Sequence, residues 1–123
     1  MKPRNGLSEL QPLRLIELVE VNNMLAKYPF EIPKNRPLSR REIAQALRWA
    51  IEAELDAISF YEQLAGNIED ERIKHIFLDV ANEEKEHFGE FLAALLEVDG
   101  ELAKYMKEGF EEVEEETGIK VKL

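Results

Sequence analysis

Apolar residues recur at helical spacing along most of the chain, and prolines and glycines divide them into separate runs. The first run covers residues 7–28, with Leu10, Leu13, Ile16, Leu18, Val21, Met24 and Leu25 as apolar positions. Pro12 falls in or near its first turn, where a missing N–H is tolerated. Residues 28–37 hold three prolines in ten, which forbids a regular helix and predicts a linker. A second helix is expected to start at Ser39, where Ser39 and Glu42 make an S-x-x-E capping box. It continues to about Leu64 and stops near Gly66 and Asn67. The third helix is expected from about Glu69 to Glu97, ending at Asp99 and Gly100. A shorter fourth segment, 101–116, carries Leu102, Tyr105, Met106, Phe110 and Val113, with Gly118 as its cap. The last residues, from Ile119 to Leu123, alternate apolar and basic and suit an extended tail. The expected fold is all-α: an antiparallel two-helix hairpin of roughly 60 residues with flanking helices. Residues 1–37 form an N-terminal helical extension and Pro-rich linker, 38–117 the hairpin with its short C-terminal helix, and 118–123 a tail.

Three polar residues interrupt the apolar stripes of this hairpin. On the third helix, Ile73, Phe77, Val80, Glu84, His87, Phe91 and Leu95 are spaced by three, four or seven and form one line. On the second, Leu47, Ile51, Glu54, Ile58 and Tyr61 do the same. Glu54 and Glu84 each lie about 13–17 residues, or about 20–25 Å, from the turn, so they face each other at similar height. An unpaired carboxylate on a core face costs several kcal/mol or stays protonated. A divalent cation resolves this, because it neutralises both carboxylates and accepts an imidazole nitrogen. Two oxygens and a nitrogen favour iron, manganese or zinc over calcium or magnesium. The alternative is a polar trio that is merely hydrogen-bonded. E-x-x-H alone carries little weight in a chain with 22 glutamates among 123 residues, and the other histidine, His75, has Arg72 three residues before it. It is Glu54, at the right face and height, that makes the pattern specific.

Composition narrows the chemistry. The chain has no cysteine, which excludes disulfides, Cys-ligated zinc and iron–sulfur centres. A net charge of −10 disfavours nucleic acid and anionic membranes as partners. Neither an apolar run of spanning length nor a signal-peptide core is present, which sets the expectation of a cytoplasmic protein. His75 reads as a surface histidine, and Glu83, Glu86 and Glu90 as a solvated face, with a weak route for incoming cations as the alternative.

One Glu and one E-x-x-H are half of a di-iron helical-bundle site, which takes a Glu from each of two helices and an E-x-x-H from each of two others. The simplest completion is symmetric. Two hairpins pack as a four-helix bundle, and a two-fold axis supplies a second Glu54, Glu84 and His87. A mononuclear site closed by water is the rival arrangement. Trp49, Ala53 and Phe60, with Leu78, Leu92 and Leu96, lie off the ligand lines and call for further cover from subunit contacts or flanking helices.

The stretch E-A-E-L-D-A-I-S-F-Y-E-Q, followed about 20 residues later by A-N-E-E-K-E-H-F-G-E-F, resembles the ferritin-like superfamily and, within it, the encapsulated ferritins. The resemblance covers about residues 40–117, including G-F-E-E-V-E-E-E-T-G. It implies a ferritin-like four-helix bundle formed on dimerisation and a ferroxidase that oxidises Fe(II) to Fe(III) at an iron pair shared by two chains. It further implies homodimers building a ring, typically a decamer, inside an encapsulin shell that stores the mineral. Carried onto this sequence, Glu54, Glu84 and His87 are the metal ligands, and Tyr61 matches a tyrosine near the centre, with an ordinary core tyrosine as the alternative. The family's outer metal-access position uses acids flanking the ligand Glu; here Ala53 precedes it and only Asp56 follows, while Glu52 is expected to face solvent. The tail has the apolar-basic character of a shell-loading peptide, and a directly following shell domain is the other arrangement the resemblance allows. A rubrerythrin-like di-iron peroxidase and a non-enzymatic helical interaction module are the competing functions.

Overall fold

In the computed structural model, residues 31–123 are described. The expected helix at 7–28 lies outside them. Residues 31–38 are irregular, as Pro33 and Pro37 demand. Residues from Ser39 to Leu123 form a unit of their own built from three helices: α1 (Arg40–Ala65), α2 (Glu71–Val98) and α3 (Gly100–Thr117).

Each boundary has a local cause. Ser39 is the N-cap of α1: its hydroxyl accepts from the Glu42 N–H at 3.1 Å, and the Glu42 carboxylate accepts from the Ser39 N–H at 2.8 Å. The expected capping box is therefore formed. At the other end the chain leaves the helix through Gly66 and Asn67. The third expected helix starts at Glu71, two residues later than its apolar pattern suggests. The reason is Asp70, whose carboxylate accepts the Arg72 N–H at 2.9 Å and two guanidinium N–H groups of the same residue, at 3.2 and 2.8 Å. An Asp that satisfies an orphan amide and an arginine together makes a better cap than Glu69. Asp99 ends α2 and at once caps α3 by accepting the Leu102 N–H at 3.0 Å. Gly118 closes α3 in the left-handed region, φ 80°, its N–H donating to the Glu114 carbonyl at 2.8 Å. After it, residues 119–123 have no regular structure.

The two long helices pack along each other as an antiparallel hairpin, and nearly all packing among the described helices is theirs; α3 touches α2 lightly and does not pack on α1. The seam has four fully buried apolar residues: Ala44, Ala65, Ala81 and Leu95. Tyr61 and Phe77 meet across it, ring centres 6.0 Å apart. Lys85 and Glu62 clamp the surface above it at 3.1 Å, and the Arg40 guanidinium donates to the Glu97 carbonyl at 3.0 Å at the open end. Large apolar side chains remain exposed, including Ile43, Phe60, Ile73, Ile76 and Leu78. Two helices alone cannot enclose apolar residues on several faces, because each presents only one stripe to its neighbour. The described residues include no strand, and none of their helices is long and apolar enough to cross a membrane.

Candidate metal centre

Glu54 stands midway along α1; Glu84 and His87 lie one turn apart midway along α2. The antiparallel register brings them together. One ligand atom from each lies within 4.8 Å of the others. His87 Nδ1 is 2.8 Å from Glu84 Oε1 and 3.6 Å from Glu54 Oε2. The three expected ligands thus converge, across two helices and 30 residues of sequence from 54 to 84.

Their burial is uneven. The side chains of Glu54 and Glu84 are 15% and 18% exposed, while that of His87 is 47% exposed. The two carboxylates are thus mostly shielded, while the imidazole is about half exposed. The electrostatics follow. Burial first, and then the hydrogen bond and charge of Glu84, push the Glu54 carboxyl above its usual range, with His87 acting the other way. The hydrogen bond with Glu84 holds the His87 imidazole above its usual value, and the charges of Glu54, Glu84 and Glu90 add to this against partial burial. The neighbouring Glu84 thus disfavours ionisation of Glu54, and a cation between them would remove that penalty. Two hard oxygens with one imidazole suit a first-row divalent metal. The donor set therefore fits iron.

The neighbours fall where the stripes place them. Leu47, Ile51, Ile58 and Tyr61 on α1, and Phe77, Val80 and Phe91 on α2, are half-buried around the trio. His75 is exposed, as are Glu52, Asp56, Glu83, Glu86 and Glu90; Ala53 is half-buried. Glu90, one turn after His87, is exposed as expected, and its charge adds in a minor way to the rise at both Glu54 and His87. The Lys85–Glu62 clamp was not foreseen, because nothing in helical periodicity pairs those two residues.

The chain is similar to several known proteins. The sequence profile of the Rubrerythrin family matches residues 45–122. A "Ferritin-like-encapsulin shell fusion protein" of Pyrococcus furiosus is 50% identical over 100 residues, which is 81% of this chain and 29% of that protein. An "Encapsulin nanocompartment cargo protein EncC" of Myxococcus xanthus is 36% identical over 83 residues, 68% of this chain and 64% of that one. The chain thus spans 29% and 64% of the lengths of these curated relatives. The crystal structure of the encapsulated ferritin domain from Pyrococcus furiosus superimposes with a TM-score of 0.71 at 50% identity, covering 79% of this chain and 99% of that one.

Proposed function

The chain belongs to the rubrerythrin family of ferritin-like proteins, of the encapsulated-ferritin type, and from this premise we propose that it is a ferroxidase that works as paired copies. Two hairpins assemble face to face as a four-helix bundle, with domain limits of 38–117. Their two sets of Glu54, Glu84 and His87 hold two Fe(II) ions, which are oxidised to Fe(III) with oxygen as electron acceptor. The observation that carries this reading is the convergence of the three donors within 4.8 Å on the inner faces of the hairpin.

Each residue has a task. The Glu54 and Glu84 carboxylates supply hard anionic oxygen, which prefers the more highly charged product ion. His87 supplies neutral nitrogen and gives up the proton it shares with Glu84 when a cation binds. Tyr61 lies two turns after Glu54, packed on Phe77, where it holds the wall of the site. Manganese or zinc would compete for the same donors.

One hairpin provides half of a bridged site. Ile43 and Ile76, 11 residues before Glu54 and His87 respectively, share those residues' sides of the helices to within about 20°. Both are exposed, Ile76 by 55%. A second copy docked over this face covers them and closes the site. Dimers then build a larger ring, a decamer being the proposed form, housed inside a cytoplasmic encapsulin compartment. The names of both curated relatives support the shell as partner.

The test is the Glu54→Ala variant. Loss of bound iron and of Fe(II) oxidation is expected, and unchanged iron content with an unchanged rate would sink the proposal. The match to the Rubrerythrin profile favours a second reading, peroxide reduction at the same centre. Faster turnover with peroxide than with oxygen, sustained by an added reductant, would select it. A metal-free protein whose melting temperature ignores Fe(II) would instead mark a non-enzymatic helical module.

A further inference from the structure

At the open end of the hairpin lies a cavity of about 310 Å³ lined by Arg40, Arg41, Ala44, Arg48, Val98 and Asp99, none of them one of the three proposed donors. Three arginines around one hollow are unexpected in a chain of net charge −10. Random placement would favour carboxylates.

The sequence spacing explains the shape. Arg41, Ala44 and Arg48 are three and four residues apart and so share one side of α1. Ala44 is buried and forms the floor, its short side chain leaving room between the two guanidinium groups. Val98 and Asp99, at the end of α2, form the facing wall. The three cations are differently engaged. Arg40 donates from Nη2 to the Glu97 carbonyl, which leaves its remaining donors available. Arg48 meets Asp99 at 3.5 Å in an exposed pair, of the kind worth little and readily rearranged. Arg41 makes no hydrogen bond or ion pair among the described residues. Asp99 is the one carboxylate in the lining, and its other oxygen is occupied as the cap of α3.

We propose that this cavity binds a phosphate-class oxyanion, held by Arg41 and Arg48 with Arg40 at the rim. A tetrahedral dianion accepts paired N–H donors from planar guanidinium groups and offsets a net local charge of two, three arginines against Asp99. The volume admits a phosphate group with bound water. The free ion and the terminal phosphate of a nucleotide present the same chemistry.

Isothermal titration of the intact protein at constant ionic strength tests this, using inorganic phosphate in one arm and ADP in another. Saturable binding is expected, weakened about tenfold by Arg41→Ala and by Arg48→Ala, and only partly retained by Arg48→Lys, which keeps the charge and loses the fork. Melting temperature and Fe(II) oxidation should stay at wild-type values in Arg41→Ala, since that side chain holds nothing in the fold. Binding of ADP more than tenfold tighter than phosphate identifies a nucleotide as the source, and equal affinities identify free phosphate. Absence of saturable heat in both arms overturns the proposal, as does wild-type affinity in both alanine variants. So does a drop in assembly size in those variants with phosphate affinity unchanged, which would make the arginines an interface between copies, facing for instance the exposed glutamates at 111–116 of another chain.

Discussion

Glu54 and His87 are perturbed in the same direction for different reasons, and the difference predicts how the centre responds to pH. Burial and Glu84 make the Glu54 carboxylate hard to ionise; the hydrogen bond to Glu84 makes the His87 proton hard to remove. The raised imidazole pKa means that in metal-free protein His87 contributes stability below the ordinary value of 6.5, which is lost as pH rises through the raised value. Metal binding at the proposed centre would oppose this, because a metal would take the nitrogen that the proton occupies. Affinity for a divalent ion should therefore fall as pH drops through a range beginning above 6.5, with protons released on binding. Zinc titrations in buffers of different ionisation enthalpy measure that release; an affinity independent of pH over this range would contradict it. Tyr61 has the same residue-level test. Tyr61→Phe keeps the ring against Phe77 and removes only the hydroxyl, so bound iron should be unchanged. If the hydroxyl takes part in the reaction, stopped-flow oxidation slows several-fold; an unaltered rate returns Tyr61 to the role of core packing.

The helices are held in register by their ends. The reciprocal Ser39–Glu42 bonds satisfy two groups at the start of α1, so Ser39→Ala should cost about 1 kcal/mol, read by chemical denaturation at fixed protein concentration. Asp70 offers a pH test at the same scale. The hydrogen bonds from Arg72 hold its carboxyl below the usual range. A lowered folded pKa gives stability that is present above the unfolded value of 3.8 and lost as pH falls through the lowered one. Acid should therefore fray the first turn of α2, and Asp70→Asn should flatten that acid dependence, as followed by amide exchange at residues 71–74. Gly118 supplies the φ of 80° that a side chain resists, which is why α3 stops where it does.

At the scale of the molecule, the described hairpin leaves several large apolar side chains exposed. Four small or branched residues make its buried seam, while Ile43, Ile73 and Ile76 stay exposed. Ile76→Asp places a charge on that face without touching the ligands or the seam. The proposed pairing predicts that this variant keeps its helical signal but sediments as a smaller species and loses iron oxidation. A variant that stays fully assembled and active would place the partner elsewhere. Wild-type protein should bind one iron per chain, two per pair, and native mass spectrometry counts this directly.

Much of this was legible in the amino-acid order. Local rules set the helix ends: the Ser39–Glu42 box and Gly118 act through neighbours in sequence, so their effects can be read there. The 3.6-residue period set the stripes, and a short turn at Gly66 set an antiparallel return, which is enough to place Glu54 opposite Glu84 and His87. The start of α2 was displaced by two residues because an aspartate–arginine pair outweighs apolar pattern at a helix end. What the tertiary structure alone decided is everything that depends on distance between segments remote in sequence. It set the 2.8 and 3.6 Å separations around His87 and the exposure of the imidazole against the shielding of the carboxylates. It also set the hollow between three arginines and the end of α2. Periodicity fixes which side of a helix a residue occupies. How closely two sides approach is fixed by the small residues packed between them, here Ala44, Ala65 and Ala81.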